Sequence, residues 1–194
     1  TTIADAEVQR VTRETNLCDI IWKTEDGEEL VISTTRPELI CACGVVMVHP
    51  DDDRYRHLIG KKAILPIDVD GRENTVEIKT HPSVKSDFGS GVLMVCSFGD
   101  QNDVSIFREL SLKPFVAIDL DGKLTEISGP LQGLKVLDAR KKAIEILEGS
   151  GKMQSMSRRM QEIPVSERGG NPVEIILLKE WYVRQTHVID RLSE

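Results

Sequence analysis

Several features that would assign this chain to a familiar class are missing from it. No apolar run approaches the ~20 residues that cross a bilayer, which leaves no candidate membrane helix. Thr1–Arg10 carries no basic-then-apolar segment, and its opening without Met reads as a cut from something larger. Aromatic residues make up only 4% of the 194 residues, which excludes an aromatic-rich carbohydrate-binding or repeat scaffold. Positive charge is in deficit: 25 Lys and Arg stand against 32 Asp and Glu, for a net charge of −7. That balance excludes nucleic-acid binding by bulk electrostatics alone, but not the reading of one nucleotide end inside a pocket. The four cysteines, Cys18, Cys41, Cys43 and Cys96, are too few and too irregular for a disulfide framework. Cys41 and Cys43 point the same way if they lie on a strand, and they read as small apolar side chains in a reducing cytoplasm. No second Cys/His pair sits at zinc spacing, so no metal site is expected. A Ser-His-Asp order, a P-loop and a His-metal motif are all absent, leaving covalent and metal mechanisms without support.

What remains is a chain able to fold. Hydrophobic residues are 40% of the total, enough for a sizeable core at a length near the upper end of one domain. Asp19–Lys23 and Glu29–Thr34 flank an acidic turn with an Asp26-Gly27 step, the pattern of a hairpin. Gly44–His49 reads as a buried strand ending at Pro50. Ala63–Ile67, Thr75–Lys79 and Gly91–Cys96 read as further short strands. Their irregular spacing favours a closed or partly closed β-barrel, and so a β-rich α+β fold with peripheral helices. A short helix is expected over Asp51–Leu58, acidic at its start and basic at its end. Asp100–Leu110 places Val104, Phe107 and Leu110 on one face. Asp138–Glu148 turns Ala143, Ile144, Ile146 and Leu147 inward, with Asp138 as candidate cap and Gly149 as candidate stop. Phe115–Asp119 and Leu124–Ile127 read as a second hairpin around Asp121-Gly122. From Gly151 onward the composition shifts, and the segment reads as strands leaving the domain.

Three segments combine polar groups with tight backbone. Ser33-Thr34-Thr35-Arg36-Pro37-Glu38 sets three hydroxyls and a guanidinium at a strand end, with Arg36 held extended by the proline. The hydroxyls suit a ligand's polar atoms and Arg36 suits a carbonyl, phosphate or carboxylate; a strand end capping its next turn suits the same residues. Phe88-Gly89-Ser90-Gly91 allows close approach to the backbone, by a ligand or by an ordinary turn. Cys96-Ser97-Phe98-Gly99-Asp100-Gln101-Asn102-Asp103 runs from a strand into a helix. Its two carboxylates lie three apart, suited to capping the helix or to holding an ammonium group.

Taken together and in order, these segments carry a resemblance. STTRPELI at Ser33–Ile40, VHPDDDRYRHLIGKKAILPI at Val48–Ile67, DFGSGVLMV at Asp87–Val95 and GDQNDVSIFRELSLKP at Gly99–Pro114 resemble the inserted editing domain of class I aminoacyl-tRNA synthetases for branched aliphatic amino acids. VSERGGNPVEIILLKEWYVRQ at Val165–Gln185 is similar to the family's return strand toward the catalytic core. The likeness covers nearly the whole chain. It is strongest to valine enzymes of archaeal type, then to isoleucine enzymes, and weaker to leucine enzymes.

The resemblance implies one editing domain over residues 1–194, with about 1–16 and 164–194 as its connections to a nucleotide-binding core. It implies hydrolysis of threonyl-tRNA made in error for valine. A pocket sized for valine rejects isosteric threonine by only ~10², a figure long established for these enzymes. By position, Asp103 would bind the substrate's α-ammonium group, and Thr34 and Thr35 would line the amino-acid pocket and share in catalysis. Arg36 would contact the side-chain hydroxyl or the terminal adenosine, and Asp100 would assist hydroxyl recognition. Ser97 would be the next hydroxyl ligand, and the Gly89-Ser90-Gly91 backbone would supply donors. The implied partners are the 3′ end of the valine tRNA with its aminoacyl-adenosine, and the rest of the same synthetase chain. The implied location is cytoplasmic. The editing domain needs no cofactor, whereas a whole synthetase uses ATP and Mg. Two departures stand out: Ser166 and Gly169 replace cysteines of a zinc knuckle found in many members, and Met94, Cys96 and Gly99 replace the Lys, Thr and His usual in bacterial valine enzymes. Two other functions fit the resemblance: editing of valyl-tRNA for isoleucine, and a catalytically silent tRNA-binding module.

Overall fold

One long strand organises the chain. The computed structural model describes residues 7–178, and within them β1 runs from Val8 to Thr24. Its second half pairs antiparallel with β2 (Glu29–Thr34), in a register that sets Cys18 opposite Thr34 and Lys23 opposite Glu29. Cys18, Ile20, Trp22 and Thr24 alternate onto the buried face, as a period of two requires. The remaining strands are β3 (Cys43–Val48), β4 (Lys62–Ile64), β5 (Thr75–Thr80), β6 (Val92–Cys96) and β7 (Met153–Ser166). They form a mixed sheet in the order β2-β1-β4-β5-β3-β6, with β7 added to β1; only β3 and β5 run parallel. The sheet curls until β6 comes back against β2, giving a half-barrel with a few helices on it. The expected β-rich α+β barrel is therefore present in its partly closed form. Its core gathers Ile20, Trp22, Ile32, Ile40, Val46 and Ile78.

The helices correct the sequence reading in detail. Helix α1 spans Gln101–Glu109 and buries Asp103, Ile106 and Phe107, so the inward face is turned from the expected Val104-Phe107-Leu110 row. Helix α2 spans Val136–Gly149 and begins two residues before Asp138, with Lys135 at the N-cap and no capping side chain. It buries Val136, Ala139, Ala143 and Leu147, leaving Ile144 and Ile146 half-buried. Its last residue is Gly149, the expected stop, and the left-handed residue that closes the end is Gly151. Gly151 takes φ +68°, its N–H donates to Glu148 O, and Lys152 N–H donates to Leu147 O, the paired bonds that close a helix end. The short helix expected over Asp51–Leu58 is a 3-10 turn at Asp53–Leu58, capped by Asp52. Pro37–Ala42 and Glu126–Leu131 form two more such turns. The expected second hairpin is reduced to a single bridge, Ile118 with Leu124, because Glu126 already enters a turn.

The largest correction concerns the segment after Gly151. It does not leave the sheet at once: β7 pairs antiparallel with β1 from Ile20 back to Val8, which makes a long two-stranded ribbon. Ribbon residues face water on both sides over much of its length, so neither strand shows a strong apolar alternation. Val173–Leu178 is irregular; it is tied to the sheet by a bridge between Pro172 and Val165 and by the Val173 N–H donating to Pro164 O (3.0 Å), and Ile176 packs against the core. Residues 1–6 and 179–194 lie outside the described residues, and with them part of the expected connecting strands.

Candidate functional site

The Ser33–Glu38 segment bonds to each of the other two polar segments, which lie at either end of β6, where the curl brings β2 against β6. At the end of β2, Ser33 donates to Asp19 Oδ1 (2.6 Å) and accepts from the Ser90 N–H (3.1 Å), so the glycine loop is moored to the strand. A Cβ on Gly89, which has φ +55°, would strike the Ser33 side chain. Gly91 N–H donates to Phe88 O (2.9 Å). Two of the three N–H groups offered as substrate donors are thus engaged within the protein. The loop is braced from below. Asp52 accepts from Arg54 Nε (2.9 Å) and Nη2 (2.7 Å), the same Nη2 donates to Ser86 O (2.9 Å), and Tyr55 OH donates to Ser90 O (2.7 Å). Phe88 stands half out of the protein, its ring covered by the Arg159 guanidinium at 4.3 Å.

Asp103 is the chemical centre of the arrangement. Asp100, at the N-cap of α1, accepts the Asp103 N–H (2.9 Å) and is itself exposed. Asp103 is only 9% exposed, and its Oδ2 accepts the Cys96 N–H (3.1 Å). No described residue donates to its Oδ1, which leaves that oxygen for a ligand. Burial, with the Asp100 carboxylate beside it, pushes the Asp103 carboxyl up to about 7, against the downward pull of the Cys96 N–H and Arg36. Gly99 permits this packing, since a Cβ there would meet Asp103 Oδ2.

Arg36 joins the two segments. Its N–H donates to Thr34 Oγ1 (3.0 Å), a local bond that closes the end of β2. Its guanidinium donates from Nε to Glu38 Oε1 (3.2 Å), from Nη1 to Gly99 O (3.1 Å) and from Nη2 to Glu174 Oε2 (2.5 Å). Burial works against its charge, but Glu38 and Glu174 outweigh it and hold the guanidinium protonated. Thr35 is half-buried, and no described residue bonds its hydroxyl. Ser97 is placed differently from the other candidates. It is 1% exposed, donates to Ala42 O (3.3 Å) and accepts the Phe115 N–H (2.6 Å), so it faces the core and holds loops together.

Sequence reasoning overlooked four residues here. Glu38 has no exposed surface and is held by Arg140 of α2 through Nε (3.0 Å) and Nη2 (2.7 Å). A lone carboxylate between Pro37 and an apolar run was the available signal. Arg72 reaches across to the Cys41 and Cys43 carbonyls (2.8 Å each) and lies 3.7 Å over the Phe115 ring. Glu174 and Arg140 arrive from distant parts of the chain with no local signal. The four cysteines are buried and free, and burial raises the thiols of Cys18 to about 11 and of Cys41 and Cys43 to about 12. They are packing groups rather than nucleophiles. Among the described residues no group of three or more His, Cys, Asp or Glu is arranged to hold a metal. The Ser166–Gly169 stretch, lacking thiolates, is instead a turn in which Gly170 N–H donates to Ser166 O (2.8 Å).

Comparison with known proteins bears on this geometry. The chain is 41% identical to valine–tRNA ligase of Aeropyrum pernix over 195 residues, covering 100% of this chain and 23% of that protein. It is 40% identical to the Thermoplasma acidophilum enzyme of the same name over 194 residues, 100% of this chain and 24% of that one. Against the Methanocaldococcus jannaschii enzyme it is 41% identical over 195 residues, 100% and 22%. The chain thus spans about a quarter of the length of these relatives. No family model matches it. Among solved structures it resembles the ternary complex of Agrobacterium radiobacter K84 agnB2 LeuRS with tRNA and LeuAMS, with a TM-score of 0.56 and 17% identity over 79% of this chain and 21% of that chain. That likeness bears on the fold alone.

Proposed function

We propose that this chain, which belongs to the valine–tRNA ligase family, is the editing domain of such a ligase and hydrolyses threonyl-tRNA formed in error on the valine tRNA. The observation that carries this reading is Asp103: a buried carboxylate with one oxygen free of protein donors, set beside a cation and at the mouth of three converging segments. An α-ammonium group is the ligand such an oxygen suits, because a charge-assisted bond there repays the burial of both groups. With the ammonium on Asp103, the aminoacyl ester lies between the β2 end and the glycine loop. Thr34 and Thr35 line that space, and the exposed Asp100 carboxylate stands at its rim to accept the threonine hydroxyl.

The reaction needs little beyond placement. Water adds to the ester carbonyl carbon, the bond from that carbon to the ribose oxygen breaks, and the ribose oxygen takes the proton. An ester is already activated, so holding water and carbonyl at reacting distance supplies much of the acceleration. The partner is then the acceptor end of the tRNA, and the paired ends of β1 and β7 serve as connections to the rest of a synthetase. About 1–16 and 164–194 are the segments assigned to that role.

Discrimination against valine is polar, because the two side chains share a shape. A hydroxyl-binding group left facing valine's methyl costs roughly 1–3 kcal/mol. The test is deacylation by the full-length enzyme of threonyl- and valyl-tRNA, each against buffer. Hydrolysis of the threonyl ester well above both valyl ester and buffer supports the proposal. Equal rates with buffer make the domain a silent tRNA-binding module, and preference for a valyl ester on isoleucine tRNA makes it an isoleucine editor.

A further inference from the structure

Arg36, Glu38 and Arg140 form a chain of charges, half-buried at the two arginines and buried at Glu38, that reaches from α2 to the Asp103 loop. Glu38 has no exposed surface, and both of its oxygens are taken: Oε2 by Arg140 Nε (3.0 Å), and Oε1 by Arg140 Nη2 (2.7 Å) together with Arg36 Nε (3.2 Å). The fork between Glu38 and Arg140 is the two-point kind, and Arg36 is left with one contact. That single contact to Glu38 leaves the other end of Arg36 extended, with Nη1 on Gly99 O at 3.1 Å and Nη2 on Glu174 Oε2 at 2.5 Å. Gly99 is packed so closely on Asp103 that a Cβ there would strike the carboxylate.

Stability alone is a weak reason for this chain of charges. Helix α2 already buries Val136, Ala139, Ala143 and Leu147 in the core, and a buried ion pair is often no better for stability than apolar packing. The arrangement has a geometric consequence instead. Without Arg140, Glu38 would be a buried carboxylate with one partner, and Arg36 would turn to grip it with two donors. Against the hold of Glu174 on Nη2, Nη1 would then be drawn off the Gly99 carbonyl, and the loop that carries Asp103 would lose its tether.

We propose that Arg140 is a positioning residue for the ester hydrolysis: by occupying Glu38 it holds Arg36 out toward Gly99 and so fixes the loop that presents Asp103. This rests on the editing reading above. Arg140 touches no substrate and acts through Arg36, so its effect should vanish once Arg36 is gone.

The experiment is a double-mutant cycle on threonyl-tRNA deacylation in the full-length enzyme, with kcat and KM measured for wild type, Arg140→Met, Arg36→Met and the double variant. Arg140→Met is expected to lower kcat on the order of tenfold or more with KM changed less than about threefold, as loss of placement does. In the Arg36→Met background the same change should lower kcat less than twofold further. Valine-dependent pyrophosphate exchange should be unaltered throughout. Arg140→Lys keeps the charge without the fork, and is expected to fall between wild type and Arg140→Met; it decides the matter by the same cycle should Arg140→Met not fold. A wild-type enzyme without threonyl-tRNA hydrolysis overturns the editing reading and this inference with it. A hydrolysing wild type overturns Arg140's role alone if Arg140→Met stays within twofold of it, or if the two losses simply multiply.

Discussion

On the proposed reading Asp103 would serve binding at the expense of the fold. Its burial raises the carboxyl to about 7, so near neutral pH the ionised form that would grip an ammonium is present but held uneasily. Activity should follow that titration. The kcat/KM for threonyl-tRNA deacylation is expected to rise with pH up through about 7, as Asp103 ionises, and to fall once the substrate's ammonium group, ordinarily near ~7.7–8.0, loses its proton. Asp103→Asn should remove the acid limb along with most of the rate; an unchanged limb would assign it to another group. Stability moves the other way. Between the ordinary value of 3.8 and the folded value of about 7, the folded chain keeps a proton that the unfolded chain has lost. Stability of the wild type therefore falls as pH rises through that window, by up to about 2–4 kcal/mol. Asp103→Asn removes this dependence, so in urea unfolding the variant should gain on wild type steadily from pH 4 to pH 8. A gap constant across that range would contradict a raised Asp103 carboxyl.

At the scale of elements, the site is a junction of segments that each look ordinary. The β6–α1 loop works because Gly99 has no side chain where the Asp103 carboxylate packs. Gly99→Ala is expected to lower threonyl-tRNA deacylation on the order of tenfold or more, a displacement effect, whereas Gly149→Ala, in open space at the end of α2, should add up to about 1 kcal/mol of stability. Equal, small effects of the two would show that the loop tolerates the added methyl. Much of this junction was legible in advance. The Ser33–Glu38 and Gly99–Asp103 stretches stand out by their polar density, and the hairpin around Asp26-Gly27 and strands β3, β5 and β6 follow from their apolar runs. Other parts left no local mark. The β1–β7 ribbon faces water on both sides, so neither strand shows the alternation that reveals a half-buried one. Helix α2 starts without a capping side chain, which is why Asp138 drew attention two residues too late. Ser97 looks like a ligand in sequence because a buried hydroxyl and an accessible one are written the same way; only the curl of the sheet shows its bonds to Ala42 and Phe115. Glu38 with Arg140 is a pairing across 102 positions, beyond any periodicity.

For the whole molecule, charge and connection matter more than any one contact. A net charge of −7 leaves little general attraction for a nucleic acid, so on the proposed reading the rest of a synthetase would have to bring the acceptor end to the site. On the same reading the paired ends of β1 and β7 would be the route by which that larger chain enters and returns; Glu174, just after β7, contacts Arg36. The turn at Ser166–Gly170 has no thiolates and closes on its own backbone bonds. The purified chain should accordingly hold no stoichiometric zinc, and elemental analysis finding about one zinc per chain would overturn that expectation. The most direct measurement of the central claim is Asp103→Ala in the full-length enzyme, assayed on the same preparation for threonyl-tRNA deacylation and for valine-dependent pyrophosphate exchange. Loss of deacylation to the level of buffer with exchange intact is the predicted result; deacylation that persists, or exchange that falls in parallel with it, would contradict an editing site centred on Asp103.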